Sequence, residues 1–369
     1  MTKCGKPLRI LHTEAAMTFG GQEHRVFKEM LAMRERGHHL ELVCQSGATL
    51  ISRMESEGFR VHVIPMAGLK NSITAATQIA RILRAGEIDV LNTHSRTDTM
   101  AAATAGRFAK TPLIVRTRHL AIPPGSLISY TGLPHRVIAI SEHVRDLLVS
   151  RGVHTDKVAT VMTAINLPDA VQASTLRTEL RLSDDDIIIG SVGHMREKKG
   201  HADLIAATIP LLRTRPKLHL VIAGRGEPLL TKLKEMVRRE GLNDRIHLLG
   251  QRDDIANVLA GFNIFALATQ NEALGTSYIE AGALGLPLIG TDVGGVSEIV
   301  ENGSNGFLVP LGDNRLLADA LRMLVDNQSL RTSMGHAART KIRNDVRFSV
   351  EHMAEATEHW YYRWLSQSA

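Results

Sequence analysis

Two series of short aliphatic runs, each run followed by a longer amphipathic stretch, constrain the fold of this chain more than any other feature. The first series predicts strands near Leu8–His12, Leu40–Cys44, Val61–Pro65, Val90–Thr93, Leu113–Thr117 and Val137–Ile140. The second predicts strands at Ile187–Val192, His219–Ala223, Ile246–Leu249, Ile264–Ala268 and Leu288–Gly290. Such continuous aliphatic runs are typical of parallel sheets covered by helices on both faces. The pattern therefore predicts an α/β protein with two Rossmann-like βαβ domains.

A polar stretch between the two series marks the predicted domain boundary. It runs from Asn166 to Asp186, with Pro168 near its start. A chain of 369 residues exceeds what one hydrophobic core usually serves. We therefore assign residues 1–166 to a first domain and residues 167–346 to a second. The carboxylates Asp184–Asp186 could hold a divalent metal, but their place before a buried strand favours turn or N-cap roles.

The C-terminal segment, 347–369, has the pattern of one amphipathic helix with no strand after it. It carries four aromatic residues, Trp360, Tyr361, Tyr362 and Trp364. We expect these aromatics to pack the helix back onto the first domain. The alternative is a role at a membrane interface.

Charge and composition indicate which kinds of partner and which cellular location to expect. The formal net charge of +6 favours anionic partners: nucleotides, phosphate-bearing acceptors, anionic lipids or nucleic acid. The sequence has neither zinc-finger spacing nor an aromatic-interleaved basic tract, so we do not expect nucleic acid. With neither an apolar run of about 18 residues nor a signal peptide, the protein is expected to be cytoplasmic. Cys4 and Cys44 lack metal-ligand spacing and are expected to be structurally incidental.

The most informative segment, Asn271 to Ala281 (NEALGTSYIEA), follows the predicted strand Ile264–Ala268. A Gly-Thr-Ser turn there opens a helix, and the amides of Gly275, Thr276 and Ser277 can approach an anion at the positive end of its dipole. Glu272 and Glu280 repel phosphate and need other partners, such as sugar hydroxyls. Taken alone, they could equally be a charge at the helix N-terminus and a solvated helix residue.

The spacing of these glutamates resembles the EX7E motif of the GT-B fold retaining glycosyltransferases of family 4, the glycosyl transferases group 1. The similarity continues through Glu280–Asp313, EAGALGLPLIGTDVGGVSEIVENGSNGFLVPLGD, with its Gly294-Gly295 pair and Asn305-Gly306 turn. The resemblance implies two Rossmann-like domains facing each other across a cleft. It also implies that Glu272 contacts hydroxyls of the donor sugar, that Glu280 contacts the ribose, and that Gly275, Thr276 and Ser277 bind the diphosphate.

A second segment, Ser191 to Gly200 (SVGHMREKKG), ends the first strand of the second domain. Ligands of open α/β sheets bind at the carboxyl ends of strands, so Gly193 and the cations after it are candidates for the site. In the family, a Lys before the final glycine and an Arg directly after the first one neutralise the departing diphosphate. Lys199 matches that Lys, but His194 stands at the Arg position. We prefer Arg196 for this role over His194, because a guanidinium stays ionised.

The first domain contributes a glycine loop and histidines. Gly20-Gly21 lies between a strand and an amphipathic helix, where backbone donors can face an anion, although a plain loop is equally possible. It resembles the family's N-terminal glycine loop. His119 follows the strand Leu113–Thr117 and matches the family histidine that hydrogen-bonds the donor sugar near the reacting carbon; a solvated strand-end histidine is the alternative. His94 ends the preceding strand and is a weaker candidate, on the acceptor side. Ser141 is predicted to be a helix N-cap.

Together with the family resemblance, these residues predict a metal-independent glycosyltransferase, and the resemblance implies that it retains the anomeric configuration. It would move a hexose-type sugar from an NDP-sugar, UDP-sugar favoured over GDP-sugar, to a saccharide or lipid-linked acceptor in lipopolysaccharide or surface polysaccharide biosynthesis. Catalytic roles fall to His119, Glu272, Arg196 and Lys199, and no metal is assigned. Metal-dependent transferases hold a cation with an Asp-x-Asp pair after a strand. At a predicted strand end this chain has Asp253-Asp254, which we interpret as helix N-caps.

Three alternatives stay open. An NDP-sugar epimerase of GT-B-like architecture would release a free sugar, and a non-catalytic nucleotide-sugar-binding protein would tolerate loss of Glu272. A dinucleotide oxidoreductase is disfavoured because the G-x-G-x-x-G fingerprint is missing. The basic charge is also compatible with peripheral contact with an anionic inner membrane.

Overall fold

The computed structural model describes residues 5–166 and 173–368, and Cys4 and Pro168 lie outside them. The chain divides into two compact units. The first ends at Ala164 and also takes in the chain from Arg347 onward, and the second is Ile165–Val346. This division lies two residues before the boundary that the sequence predicts.

The first unit is built on a parallel sheet of seven strands within the described residues, in the order β3-β2-β1-β4-β5-β6-β7. Aliphatic side chains fill the strands at its centre, and Ile10 on β1 lies opposite Val90 on β4. The strands are β1 (Arg9–Glu14), β2 (His39–Cys44), β3 (Arg60–Val63), β4 (Val90–Thr93), β5 (Leu113–Arg118), β6 (Arg136–Ala139) and β7 (Val158–Thr160).

Helices cover this sheet. They are α1 (Gly21–Glu35), α2 (Leu50–Ser56), α3 (Leu69–Ala85), α4 (Arg96–Asp98), α5 (Thr104–Ala109), α6 (Glu142–Ser150) and the C-terminal α15 (Val350–Ser368). A short 3-10 turn, Val346–Phe348, precedes α15, so this helix begins three residues later than predicted. Tyr361 and Trp364 are buried in one hydrophobic cluster with Val26 and Met30 of α1, as the packing interpretation of these aromatics expects.

The second unit repeats the architecture with six parallel strands in the part described, in the order β10-β9-β8-β11-β12-β13. The strands are β8 (Ile187–Val192), β9 (Leu218–Ala223), β10 (Ile246–Gly250), β11 (Ile264–Leu267), β12 (Leu288–Thr291) and β13 (Gly306–Val309). The helices are α7 (Leu176–Glu179), α8 (His201–Thr214), α9 (Leu229–Arg239), α10 (Ile255–Ala260), α11 (Thr276–Ala283), α12 (Val296–Ile299), α13 (Asn314–Asp326) and α14 (Gln328–Asn344).

Both sheets change winding direction once, between β1 and β4 in the first unit and between β8 and β11 in the second. In open parallel sheets, ligands bind beyond the carboxyl ends of the strands at this switch point. The candidate segments of the sequence follow these strands, and the fold thereby positions them for binding. No helix among the described residues is long and apolar enough to cross a membrane.

Candidate functional site

Hydrogen bonds hold the loop after β8 against the ends of β9 and β11. The amides of Gly193 and Met195 donate to the carbonyls of Ala223 (3.0 Å) and Arg225 (2.8 Å). The Lys198 carbonyl accepts hydrogen bonds from the amide of Gln270 (2.7 Å) and the hydroxyl of Thr269 (3.1 Å). These bonds hold the following residue, Lys199, next to the segment that starts at Gln270.

Lys199 and Glu272 form an ion pair between the Nζ ammonium and the Oε2 carboxylate oxygen. Their side chains are 17% and 15% exposed, so the pair is shielded from water but reachable by a ligand. The sequence gives the two residues separate roles, one at the diphosphate and one at the sugar. The structure brings them into direct contact, which places a cation and a carboxylate at one point.

Helix α11 begins at Thr276, as the Gly-Thr-Ser turn predicts. Gly275 stands at its N-cap with a φ of 96°, and a Cβ on Gly275 would lie 3.3 Å from the Glu272 side chain. Thr276, Ser277 and Glu280 are half-buried, with Glu280 one turn into the helix. The start of α11 is thus adjacent to the Lys199–Glu272 pair.

The Gly294-Gly295 pair has a direct physical reason in the structure. The Gly295 amide donates to the Glu272 carbonyl at 3.0 Å. A Cβ on Gly294 would lie 1.9 Å from that same carbonyl oxygen, and Gly294 has a φ of 58° that disfavours other residues. Only glycine residues, which lack a side chain, can approach the Glu272 backbone this closely. The Gly294-Gly295 pair therefore fixes the position of Glu272.

His194 and Arg196 are the two candidates for the position of the family arginine. His194 and Arg196 are both exposed on the loop. Burial lowers the pKa of His194, and the neighbouring charges of Arg196, Arg225 and Lys199 lower it further. His194 is therefore neutral at neutral pH and adds no charge. Arg225 was missed in the sequence, although it lies in a Gly224-Arg225-Gly226 turn directly after β9.

The sequence predicts that the glycine loop of the first unit exposes its backbone N–H donors, and the structure differs from this prediction at Gly20. The Gly20 amide donates to the Glu23 carboxylate at 2.7 Å, so this donor is already occupied. Gly21 is the exposed first residue of α1. Beside the loop, the Glu14 carboxylate accepts from the Ala16 amide (2.9 Å) and from the Gln22 side chain (2.6 Å).

Glu14 belongs to a buried carboxylate pair with Asp98. Asp98 accepts hydrogen bonds from the Thr13 hydroxyl (2.8 Å) and the amides of His94 (2.8 Å) and Ser95 (2.7 Å). Burial, followed by the charge of Asp98, raises the pKa of Glu14 to about 8. Glu14 therefore holds a proton at neutral pH.

Three histidines form a hydrogen-bonded chain from the interior outward. The Nδ1 atom of His12 lies 2.9 Å from Nε2 of His94, and Nδ1 of His94 lies 3.0 Å from Nε2 of His119. Their exposures are 0%, 2% and 7%. Burial lowers the pKa of all three, that of His12 to about 3, so the rings are neutral. The solvated alternative for His119 is thus wrong, and His12 was missed in the sequence.

The remaining candidates have structural roles. The Ser141 hydroxyl accepts from the Val144 amide at 3.2 Å, which confirms this N-cap. Asp254 occupies the N-cap position before α10, as predicted. Its carboxylate accepts from the side chains of Arg252 (2.7 Å) and Asn257 (2.8 Å) and caps no backbone amide of α10, so the predicted capping hydrogen bond is wrong. Asp186 accepts from the Ser183 amide in a turn. Across residues 5–166 and 173–368, no group of three or more His, Cys, Asp or Glu side chains could hold a metal ion.

Two family models match the chain on either side of the domain boundary. Residues 172–341 match "Glycosyl transferases group 1", and residues 19–168 match "Glycosyltransferase Family 4". The chain belongs to glycosyltransferase family 4. The chain has the GT-B fold, as similar solved structures show. Its two units correspond to the two matched regions.

The curated relatives of this chain are named for different reactions. N-acetyl-alpha-D-glucosaminyl L-malate synthase of Bacillus anthracis is 30% identical over 47% of this chain and 45% of its own length. The lipopolysaccharide core biosynthesis mannosyltransferase LpsB of Rhizobium meliloti is 31% identical over 46% of this chain and 49% of its own. The match thus spans about half of these two relatives. An Escherichia coli UDP-Gal:alpha-D-GlcNAc-diphosphoundecaprenol alpha-1,3-galactosyltransferase is 22% identical over 91% and 92%.

Similar solved structures cover almost the whole chain. A glycosyltransferase from Rickettsia africae has a TM-score of 0.88 at 22% identity, covering 98% of this chain and 99% of that one. The Anabaena protein HepE, solved in complex with UDP-glucose, has a TM-score of 0.84 at 20% identity and coverages of 96% and 100%.

Proposed function

We propose that this protein moves a hexose-type sugar from a nucleoside diphosphate sugar to a saccharide or lipid-linked acceptor, retaining the anomeric configuration and using no metal ion. The observation that carries the proposal is the Lys199–Glu272 pair next to the start of α11. A cation, a carboxylate and a helix N-terminus meet there, beyond the carboxyl end of β11. A sugar diphosphate needs all three kinds of partner.

The proposed roles follow from the chemistry of each group. Lys199, Arg196 and the backbone of Gly275, Thr276 and Ser277 neutralise the diphosphate. Glu272 accepts hydrogen bonds from hydroxyls of the donor sugar, since a carboxylate can distinguish one hydroxyl configuration from another.

The family resemblance supports the other assignments. Glu280 contacts the ribose, and Gly193 allows the chain to approach the diphosphate closely. In the first unit, His119 hydrogen-bonds the donor sugar near its reacting carbon.

The reaction breaks the bond between the anomeric carbon and a phosphate oxygen, and forms a bond from that carbon to an acceptor oxygen. Positive charge develops on the sugar ring and negative charge on the diphosphate, so both need stabilisation. Cationic side chains and helix amides serve the second need without a divalent ion. In a retaining reaction the acceptor hydroxyl attacks the face that the diphosphate leaves, and the departing phosphate oxygen takes its proton.

The donor and the acceptor class are assigned by similarity. HepE is described with UDP-glucose, and the Escherichia coli relative is named for a UDP-sugar and a lipid diphosphate acceptor, which favours UDP-sugars over GDP-sugars. LpsB is named for lipopolysaccharide core synthesis. We therefore propose a role in lipopolysaccharide or surface polysaccharide assembly, with the protein in the cytoplasm and in peripheral contact with an anionic membrane. Co-sedimentation with vesicles that contain anionic phospholipid, compared with neutral vesicles, tests that contact.

A thermal-shift panel tests the donor assignment. The probes are UDP, UDP-glucose, UDP-galactose, UDP-N-acetylglucosamine and GDP-mannose. A donor present at 100 times its Kd adds about 2.7 kcal/mol of stability, which gives a clear rise in Tm. We expect at least one UDP compound to stabilise the protein and GDP-mannose to stabilise it less. If none of them does, the proposed function is wrong.

Product analysis with the stabilising donor separates the alternatives. Transfer to an acceptor that continues in the presence of EDTA, with the donor's anomeric configuration kept, supports the proposal. Release of a free epimerised sugar would identify an epimerase, and binding without turnover would identify a non-catalytic protein.

A further inference from the structure

The hydrogen bonds that link His12, His94 and His119 restrict which ring nitrogens of this histidine chain can carry protons. A neutral imidazole carries one N–H, and each of the two N···N hydrogen bonds needs one proton. Three protons over three neutral rings therefore allow two arrangements only. In one, Nδ1 of His119 carries a proton and Nε2 of His12 does not. In the other, Nε2 of His12 carries the proton and Nδ1 of His119 presents a lone pair.

The surroundings of His12, at the buried end of the histidine chain, favour one of these two arrangements. Nε2 of His12 has no hydrogen-bond partner among the described residues. A buried N–H without an acceptor loses a full hydrogen bond. The missing acceptor therefore favours the arrangement in which Nε2 of His12 is unprotonated.

We propose that His94 and His12 are positioning residues that hold His119 with its proton on Nδ1, so that its ring donates a hydrogen bond to the substrate. This inference rests on the proposed function for the role of His119. Both ring nitrogens of His94 are hydrogen-bonded to neighbouring histidines. The position of the proton on His12 therefore determines the position of the proton on His119. His119, the outermost ring, keeps its Nδ1 without a partner among the described residues.

The surroundings hold the rings in place. The amide of His94 is bound to the Asp98 carboxylate at 2.8 Å. After His119, the guanidinium of Arg118 donates to the carbonyls of Leu120 (3.0 Å) and Ile122 (2.6 Å) and holds the loop. The ring of His119 therefore has little freedom to exchange its partner.

The first test reads the tautomers directly. In protein labelled with ¹⁵N at histidine, long-range ¹H–¹⁵N spectra distinguish protonated from unprotonated ring nitrogens, and single histidine variants assign the signals. We expect a proton on Nδ1 of His119, Nδ1 of His94 and Nδ1 of His12. A proton on Nε2 of His119 would overturn the proposal.

The second test measures kinetics. His94→Leu removes both hydrogen bonds, and we expect kcat for transfer to fall by about 10- to 100-fold, as for other groups that orient a functional histidine. The donor KM should change by less than about twofold. His94→Asn can still donate to Nε2 of His119, so it should recover part of the lost kcat. A purely structural role for His94 would give no such recovery.

A matched control separates this effect from the general loss of a histidine contact. His219 and His247 of the second unit form a similar contact, with Nδ1 of His219 3.3 Å from Nε2 of His247. His247→Leu should leave kcat within about twofold. A His94→Leu protein that is folded and retains full kcat would contradict the proposal. If the wild-type protein transfers no sugar, the proposed function fails, whereas the tautomer spectra still decide on the histidine chain.

Discussion

Lys199 and Glu272 lie 73 residues apart in the sequence and form an ion pair at the carboxyl edge of the second sheet. The loop between β8 and α8 holds one partner and the segment between β11 and α11 holds the other. The ion pair keeps both charges compensated in a half-buried position. A bound sugar diphosphate would offer each of them a new partner, with its phosphate for the ammonium and its hydroxyls for the carboxylate.

We expect removal of the Lys199 ammonium to raise the activation free energy of transfer by more than it lowers the free energy of unfolding. For Lys199→Ala we expect kcat to fall by about 100- to 1000-fold, the usual cost of deleting one group that stabilises developing negative charge. Lys199→Arg keeps the charge and should lose less. Steady-state kinetics on both variants check this, with Lys198→Ala as the control, since Lys198 is exposed on the same loop. Equal losses in Lys198→Ala and Lys199→Ala would contradict the assignment.

Gly294→Ala should displace Glu272. The new methyl group would lie 1.9 Å from the Glu272 carbonyl oxygen. Such overpacking typically costs about 1–3 kcal/mol, so we expect a lower Tm together with weaker donor binding. Gly125→Ala is the control, because a Cβ there meets no atom within 4 Å. Its free energy of unfolding should change by about 0.5 kcal/mol or less. Normal donor affinity in Gly294→Ala would refute the positioning role of the glycine pair.

Glu14 should make stability depend on pH. In the folded protein its proton is held up to a pKa of about 8, whereas its ordinary value is 4.5. Between these values the folded state binds more protons than the unfolded state, so stability falls as pH rises, by at most about 1.4 kcal/mol per pH unit. Glu14→Gln mimics the protonated acid and should flatten this slope. Urea unfolding of both proteins at pH 5.5, 6.5 and 7.5 checks it, and identical slopes would argue against the protonated carboxyl.

Tyr361 should contribute more to stability than its neighbour Tyr362. The buried Tyr361 hydroxyl accepts a hydrogen bond from the Asn92 side chain at 2.8 Å. Tyr361→Phe leaves that amide without a partner, which typically costs about 1–3 kcal/mol. The Tyr362 hydroxyl donates to the Lys6 carbonyl in an exposed position, so Tyr362→Phe should cost less. Denaturant titration of the two variants compares them directly, and a larger loss for Tyr362→Phe would be inconsistent with a buried anchor.

Much of the fold could be predicted because buried parallel strands are continuous aliphatic runs. The prediction missed β7 (Val158–Thr160) and β13 (Gly306–Val309). These strands have three and four residues, and β13 begins with a glycine, so neither gives a clear aliphatic run. The turn that opens α11 was predictable, since its signal is local. The Lys199–Glu272 pair was not, because contact between distant segments depends on strand order.

The contacts within the histidine chain could not be predicted from the sequence for the same reason. His12, His94 and His119 come from β1 and from the ends of β4 and β5, which are neighbours only once the strand order is known. A signal was present, because each histidine lies near the carboxyl end of a predicted strand. The occupied Gly20 amide could not be read in the same way, since a glycine pair does not reveal that Glu23 folds back onto it.

A crystal structure of the protein with an intact UDP-sugar tests the central claim most directly. We predict the diphosphate within hydrogen-bond distance of the backbone of Gly275 to Ser277 and of Lys199, with the sugar hydroxyls on Glu272. Clear density for the donor elsewhere on the chain, with these groups empty and the Lys199–Glu272 pair unchanged, would contradict it.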